Sequence, residues 1–286
     1  MRGRTLVATM VTLYGLGAVA ACGGAQGAAE SASPAKAGSP AESSPPLGVA
    51  TSAARATAPA RSTGTADKPL KGKVVVIDPG HNGHNYRRPD VINRLVDVHT
   101  HKKPCDTTGT QTNDGYTEAA FTWDVAQHTA KALRAAGATV KLTRKSNTGV
   151  GPCITERAAI GNRAKADAAI SIHADGAGPK AHGFHVIMPK KINGPVDPVV
   201  GASRRLGIAI RDAVHAGTDL PYSTYIGKQG LDFRDDLGGL NLSTVPKVFL
   251  ECGNMRNAAD AAKFKNPKFR QRLGQAIAKG IEKYLG

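Results

Sequence analysis

Between residues 74 and 284 short apolar runs alternate with helical patterns, and that alternation leaves the chain few architectures. Val74-Val75-Val76-Ile77 is continuous, β-branched and uncharged, the mark of a strand covered on both faces, and Asp78-Pro79-Gly80-His81 ends it abruptly. A helix is predicted from Thr117-Glu118 to Leu133-Arg134, with Thr117 as its cap and Gly137 as its stop. Strands then follow at Ala138–Leu142, Ala168–Ile172, Gly183–Met188 and Lys247–Leu250. Helices are expected over Thr155–Lys165, Ser203–Ala216 and Asn266–Tyr284. This order predicts an α/β fold: a single domain with a mainly parallel central sheet flanked by helices.

What precedes the domain has a different composition. Met1-Arg2-Gly3-Arg4 is a short cationic head, and Thr5 to Ala21 is an uncharged stretch of small and apolar residues, too short for a comfortable membrane span. It reads as an export signal. The signal spans residues 1–22 and ends Val19-Ala20-Ala21-Cys22-Gly23, which resembles the bacterial lipobox, so cleavage is expected just before Cys22, which then receives lipid. A multiply acylated cysteine holds a membrane stably where one chain does not. Residues 23–69 are Ala, Ser, Pro, Gly and Thr without apolar period, a disordered tether with a span of roughly 40 Å. Residues 70–286 are left as the folded domain. The protein is expected outside the cytoplasmic membrane, anchored through Cys22 or secreted into the wall. The formal charge of +16 points to a polyanionic neighbour, whether nucleic acid, an anionic lipid surface or anionic cell-wall polymers, and charge alone does not choose among them. Nucleic acid is excluded by export and by aromatics that do not interleave with a basic stripe. A monomer is expected.

Export also allows disulfides. Cys105 and Cys153 lie in loop-like surroundings and are paired, whereas Cys252 follows a buried strand and is left as a thiol. A zinc site built from these cysteines lacks any C-x-x-C spacing.

Chemistry gathers at the strand ends. His81 lies just past the first strand, His173 ends the Ala168 strand and Glu251 ends the last one, so a parallel sheet carries all three to its carboxyl edge, where open α/β sheets place their sites. Two imidazoles need a third ligand. Glu118, at the head of its helix, is the natural candidate, although a surface Glu favoured by the helix dipole fits the spacing equally well. Two His and one carboxylate form a catalytic zinc set with a fourth place for water. Glu251, outside that set, is positioned to take the water's proton and pass it to a departing amine. Amide or ester hydrolysis follows. His182 and His185, three apart on a strand, face opposite sides and are not a ligand pair.

These segments resemble a known family. Val75–His81, Ile170-Ser171-Ile172-His173-Ala174 and Val248–Gly253 are similar to the signature segments of the zinc-dependent N-acetylmuramoyl-L-alanine amidases of bacteria, and the similarity extends to Glu118, Val140–Arg144, Arg157 with Asn162, and Gly183. The resemblance implies cleavage between the lactyl group of N-acetylmuramic acid and the first L-alanine of the peptidoglycan stem, with His81, Glu118 and His173 holding Zn2+ and Glu251 as base and acid. Two other readings are a wall-binding lipoprotein without catalysis and a zinc peptidase acting within the stem. The first would be expected to lack a ligand, and none is missing.

The chain departs from the family pattern at Asn82-Gly83-His84, at Ala174-Asp175 and at Asn254 after Gly253, the last a candidate substrate contact. Arg234 and Asn241, in the polar run before the last strand, are further candidates for binding stem-peptide groups. The connection Asn82–Thr117 is long enough to be functional, and a Cys105–Cys153 bond would pin it as a wall of the cleft. Some family members plug the cleft with an added helix; Lys190–Gly201 is too short and too rich in Gly and Pro to supply one, which predicts activity without an activator.

Overall fold

The structure, a computed structural model, describes residues 68–286. The export signal, Cys22 and nearly all of the tether lie outside the described residues. In chain order the elements are β1 (Val74–Pro79), α1 (Pro89–Ile92), β2 (Leu95–Asp97), β3 (Lys102–Pro104), α2 (Glu118–Ala135), β4 (Thr139–Leu142), α3 (Ile154–Arg163) and β5 (Ala168–Asp175). They continue with β6 (His185–Pro189), α4 (Val200–Thr218), β7 (Leu231–Arg234), α5 (Gly238–Asn241), β8 (Lys247–Asn254), α6 (Ala258–Lys265) and α7 (Pro267–Leu285).

Six strands form one sheet in the order β4-β1-β5-β8-β6-β7. β4, β1, β5 and β8 run parallel, β6 is antiparallel to β8, and β7 is parallel to β6. The sheet is therefore mainly parallel within each block, with one reversal at β8–β6. Its two faces differ in chemistry. Val75, Ile77, Ile170, Ile172, Val248, Leu250, Val186 and Met188 point to one side and are sealed by the apolar stripes of α2, α4 and α7. Each such fully buried side chain stabilises the fold by about 1.5–3 kcal/mol. The register partners one residue along carry the opposite face, where Asp78, Ser171, Phe249 and Ile187 lie in one row and His173, Glu251 and His185 in the next. Strand alternation thus turns an apolar core on one side into a polar site on the other.

Local signals place the helices. Thr117 Oγ1 accepts from the Ala120 amide at 3.3 Å and caps α2, and Gly137, at φ +99°, turns the chain out of it. Asn266 caps α7 ahead of Pro267. Segment 190–199 carries only a 3-10 turn at Asp197–Val199 before α4 starts at Val200. The long connection after β1 is ordered rather than slack: it contains α1 and the β2–β3 hairpin and is tied by the Cys105–Cys153 disulfide, while Cys252 is a buried free thiol. Among the described residues no helix is long and apolar enough to cross a membrane.

Candidate metal centre and active site

β1 ends in a turn that puts His81 in the left-handed region, at φ +57°, a conformation costly for a side-chain-bearing residue and held here from several directions. Arg157 donates to the Pro79 carbonyl at 2.8 Å and to the His81 carbonyl at 2.9 Å, and Arg144 donates to the Pro79 carbonyl at 3.0 Å. Arg157 is itself buried between two carboxylates, Asp78 at 2.8 Å and Asp106 at 3.0 Å. Lys247, also buried, reaches the other oxygen of Asp78 at 3.1 Å. Burial alone would raise the Asp78 carboxyl, but Lys247 and Arg157 beside it hold it well below the ordinary carboxylate range. The turn therefore stands on a closed set of buried charges.

Three donor atoms meet above this base. Glu118, only 4% exposed and so no surface residue, sends Oε1 to within 2.8 Å of His173 Nδ1 and 3.2 Å of His81 Nε2, and all three ligand atoms lie within 4.8 Å of one another. Its second oxygen accepts from the Thr110 amide at 2.9 Å. His81 Nδ1 faces the Thr107 carbonyl at 3.1 Å and Asp106 at 3.3 Å. A carbonyl only accepts, so the proton belongs on Nδ1 and the Nε2 lone pair faces the cluster. The His173 ring lies between Gly80 and Phe249, stacked on the latter at 4.0 Å and 16°.

The donor chemistry fits a zinc ion: two imidazole nitrogens and one carboxylate oxygen, converging and backed by a second ring of hydrogen bonds. The electrostatics agree. Burial opposes a positive charge on His81, yet Glu118 and Asp106 outweigh it and favour one, a proton and a metal ion competing for the same Nε2 lone pair. Burial would likewise raise Glu118, but the two imidazoles keep it well below its ordinary value. Glu118 thus favours positive charge at His81, while burial holds the His173 imidazole below its ordinary value and leaves it neutral, the form that binds a metal.

A cavity of about 360 Å3 opens over the cluster, lined also by Phe249, Glu251, Ile154 and Gly109. Glu251 stands in register beside His173 and leaves its Oε2 buried without a partner. Burial, together with Glu118 and Asp175, pushes its carboxyl well above the ordinary range. β5 and β8 run on to Asp175 and Asn254, so His173 and Glu251 sit inside the last turn of the pleat rather than at the strand tips.

The chain matches the family model described as N-acetylmuramoyl-L-alanine amidase over residues 75–283. It belongs to that family. N-acetylmuramoyl-L-alanine amidase Rv3717 of Mycobacterium tuberculosis is 38% identical over 218 residues, which cover 76% of this chain and 88% of that protein. Solved structures of the N-acetylmuramyl-L-alanine amidase Ami1 match with TM-score 0.71. The one from Mycobacterium smegmatis is 40% identical, covering 76% of this chain and 98% of that one. The one from Mycobacterium abscessus is 42% identical, covering 76% and 100%. Family membership makes the reaction class a peptidoglycan amide hydrolysis and gives the converging residues their context.

Not every candidate of the sequence reaches the cleft. Asn241 is fully buried, and its amide nitrogen donates to the Asp235 and Val98 carbonyls at 2.8 and 3.1 Å, fastening the β2–β3 hairpin to α5. Asn254 is also fully buried and joins the Gly178 and Ala181 carbonyls, both at 2.8 Å. Both amide nitrogens are occupied by the fold itself. Arg234, on β7, is bound by Asp236 and does not line the cavity. In the long connection, Lys103, Asp106, Thr107 and Gly109 do form one wall. Asp106, Phe249 and Gly80 were missed as parts of the site. Gly80 and Phe249 lie within signature segments, whereas nothing in the local sequence marks Asp106 as the partner of His81.

Proposed function

We propose that the protein hydrolyses the amide bond between the lactyl group of N-acetylmuramic acid and the L-alanine of the stem peptide, using zinc held by His81, Glu118 and His173. The observation that carries this reading is the convergence of those three donor atoms beside Glu251, one of whose oxygens is buried without a partner. Zinc held there would supply a water of lowered pKa and would polarise the scissile carbonyl. Glu251, which lines the cavity, would take a proton from the attacking water and deliver it to the departing alanine nitrogen, so that no free amide anion leaves. Asp106 and the Thr107 carbonyl keep His81 in one tautomer, and Phe249 fixes the plane of His173. The cavity wall from the β2–β3 connection excludes water from one side of the bond.

The placement outside the cytoplasm rests on the export signal and on the cell-wall amidases to which the chain is similar. Cys22 would be the lipid attachment, and the basic charge suits anionic wall polymers. The chain is incubated with muropeptides and the products are read by mass spectrometry. Free stem peptides beginning with L-alanine, and glycans without them, are expected. Cleavage confined to internal peptide bonds would refute the amidase reading in favour of a stem peptidase. Glu251→Ala is expected to abolish turnover with zinc still bound, and retained turnover would remove Glu251 from its role.

A further inference from the structure

Among the described residues, five buried side-chain nitrogen or oxygen atoms lack a hydrogen-bond partner: Gln127 Nε2, His185 Nδ1, Asp232 Oδ2, Asn241 Oδ1 and Glu251 Oε2. Two of them belong to residues that face each other. The antiparallel β6–β8 ladder sets His185 directly opposite Glu251, so the two side chains leave the same face of the sheet with Cβ atoms roughly 4.5–5.5 Å apart. One offers a nitrogen, the other a carboxylate oxygen, and both are turned away from water. The two atoms are not hydrogen-bonded to each other as they stand, and a bond between them would cancel the desolvation cost of both.

We propose that His185 is the positioning residue of Glu251: its Nδ1–H donates to Glu251 Oε2 and so aims the other carboxylate oxygen into the cleft. The inference rests on the reading of Glu251 as the base. His185 is 1% exposed, and burial pushes its imidazole down to about 4 despite the nearby Asp175 and Asp232, so at neutral pH the ring is uncharged and has a single N–H to place. Its other neighbours steady the ring. Tyr225 meets it edge to face at 5.9 Å and 89°, and the Tyr225 hydroxyl donates to Asp175 at 3.1 Å. Arg234 flanks the group from β7. Hydrogen bonds to catalytic carboxylates are commonly long in the ligand-free enzyme and tighten in the working complex. The sequence offers no sign of this role, because His185 becomes adjacent to Glu251 only through a pairing between segments 66 residues apart.

The full chain is assayed on muropeptides with zinc content measured alongside. His185→Leu is expected to lower kcat by roughly 10–100-fold, with KM and zinc content unchanged. His185→Asn, whose amide nitrogen stands where Nδ1 stands, should recover most of the loss, whereas His185→Gln, whose nitrogen reaches the Nε2 position, should not. Wild-type kcat in His185→Leu, or His185→Asn no better than His185→Leu with zinc bound in both, overturns the inference. Should the leucine variant not fold, long-range 15N–1H correlation spectra of the zinc-loaded wild type decide. A proton on Nδ1 of His185 whose resonance moves on Glu251→Gln is expected. A proton on Nε2, or a resonance indifferent to Glu251→Gln, overturns it. If Glu251→Gln turns over like wild type, the base assignment itself has failed; if it is inactive while His185→Leu is not, only the present inference has.

Discussion

Gly80→Ala tests whether the His173 ring is placed by packing. A Cβ at residue 80 would lie 2.2 Å from Cε1 of His173 and 2.5 Å from both ring nitrogens, well inside the 3.4 Å at which ordinary contact begins. The φ of Gly80 lies outside the left-handed region, so alanine brings no backbone penalty and the added methyl acts alone. The ring has to retreat by about 1 Å. Phe249 is stacked behind it at 4.0 Å, so withdrawal carries Phe249 along or tilts the ring, and either motion takes Nδ1 away from Glu118. Overpacking of this kind costs about 1–3 kcal/mol of stability. Zinc affinity should fall by at least the roughly 10–100-fold that follows loss of one outer partner of a ligand. The variant is titrated with zinc against a chromogenic chelator, and its unfolding is followed in chelator so that metal does not mask the packing cost. Wild-type zinc affinity together with wild-type stability would refute the argument that glycine is required there by the imidazole.

Two further outcomes follow from the network beneath the site. Asp78→Asn removes the charge that Arg157 and Lys247 share and should destabilise the domain by about 3–5 kcal/mol in denaturant unfolding at neutral pH. Because the folded Asp78 carboxyl is depressed, its stabilisation is complete above the ordinary unfolded value near about 4 and is lost as pH falls toward the folded one. The gap between wild type and variant should therefore narrow in acid, and a gap that widens would show that the charge is not what matters. The Cys105–Cys153 bond closes a loop with a sequence separation of 48, for which chain entropy allows up to about 4 kcal/mol. Replacing both cysteines by serine should lower the unfolding free energy toward that limit, and an unchanged value would assign the ordering of the β2–β3 wall to its other contacts.

The sequence by itself determined the α/β class, the principal strands and helices, and the gathering of His81, His173 and Glu251 toward one edge of the sheet. The reason is local: continuous β-branched runs and capped amphipathic stretches carry their own conformational bias, and the residue just after a buried strand must appear at its carboxyl edge. Cys105 and Cys153 were legible for a similar reason, each being a cysteine in a loop. Short pieces without such a bias, β2, β3 and β7, were not visible, since charged residues and proline break their runs. Glu118 was legible as a candidate, but only the approach of the head of α2 to β5 separates a buried carboxylate beside two imidazoles from an exposed helix-start one. Asn241 and Asn254 looked available from their polar surroundings and are consumed by loop carbonyls. The pairs that hold the site together, Lys247 on Asp78, Phe249 on His173 and Asp106 on His81, join segments far apart in the chain. Their partners are set by strand order and register, which emerge from burying one whole face of the sheet and are encoded in no single stretch of residues.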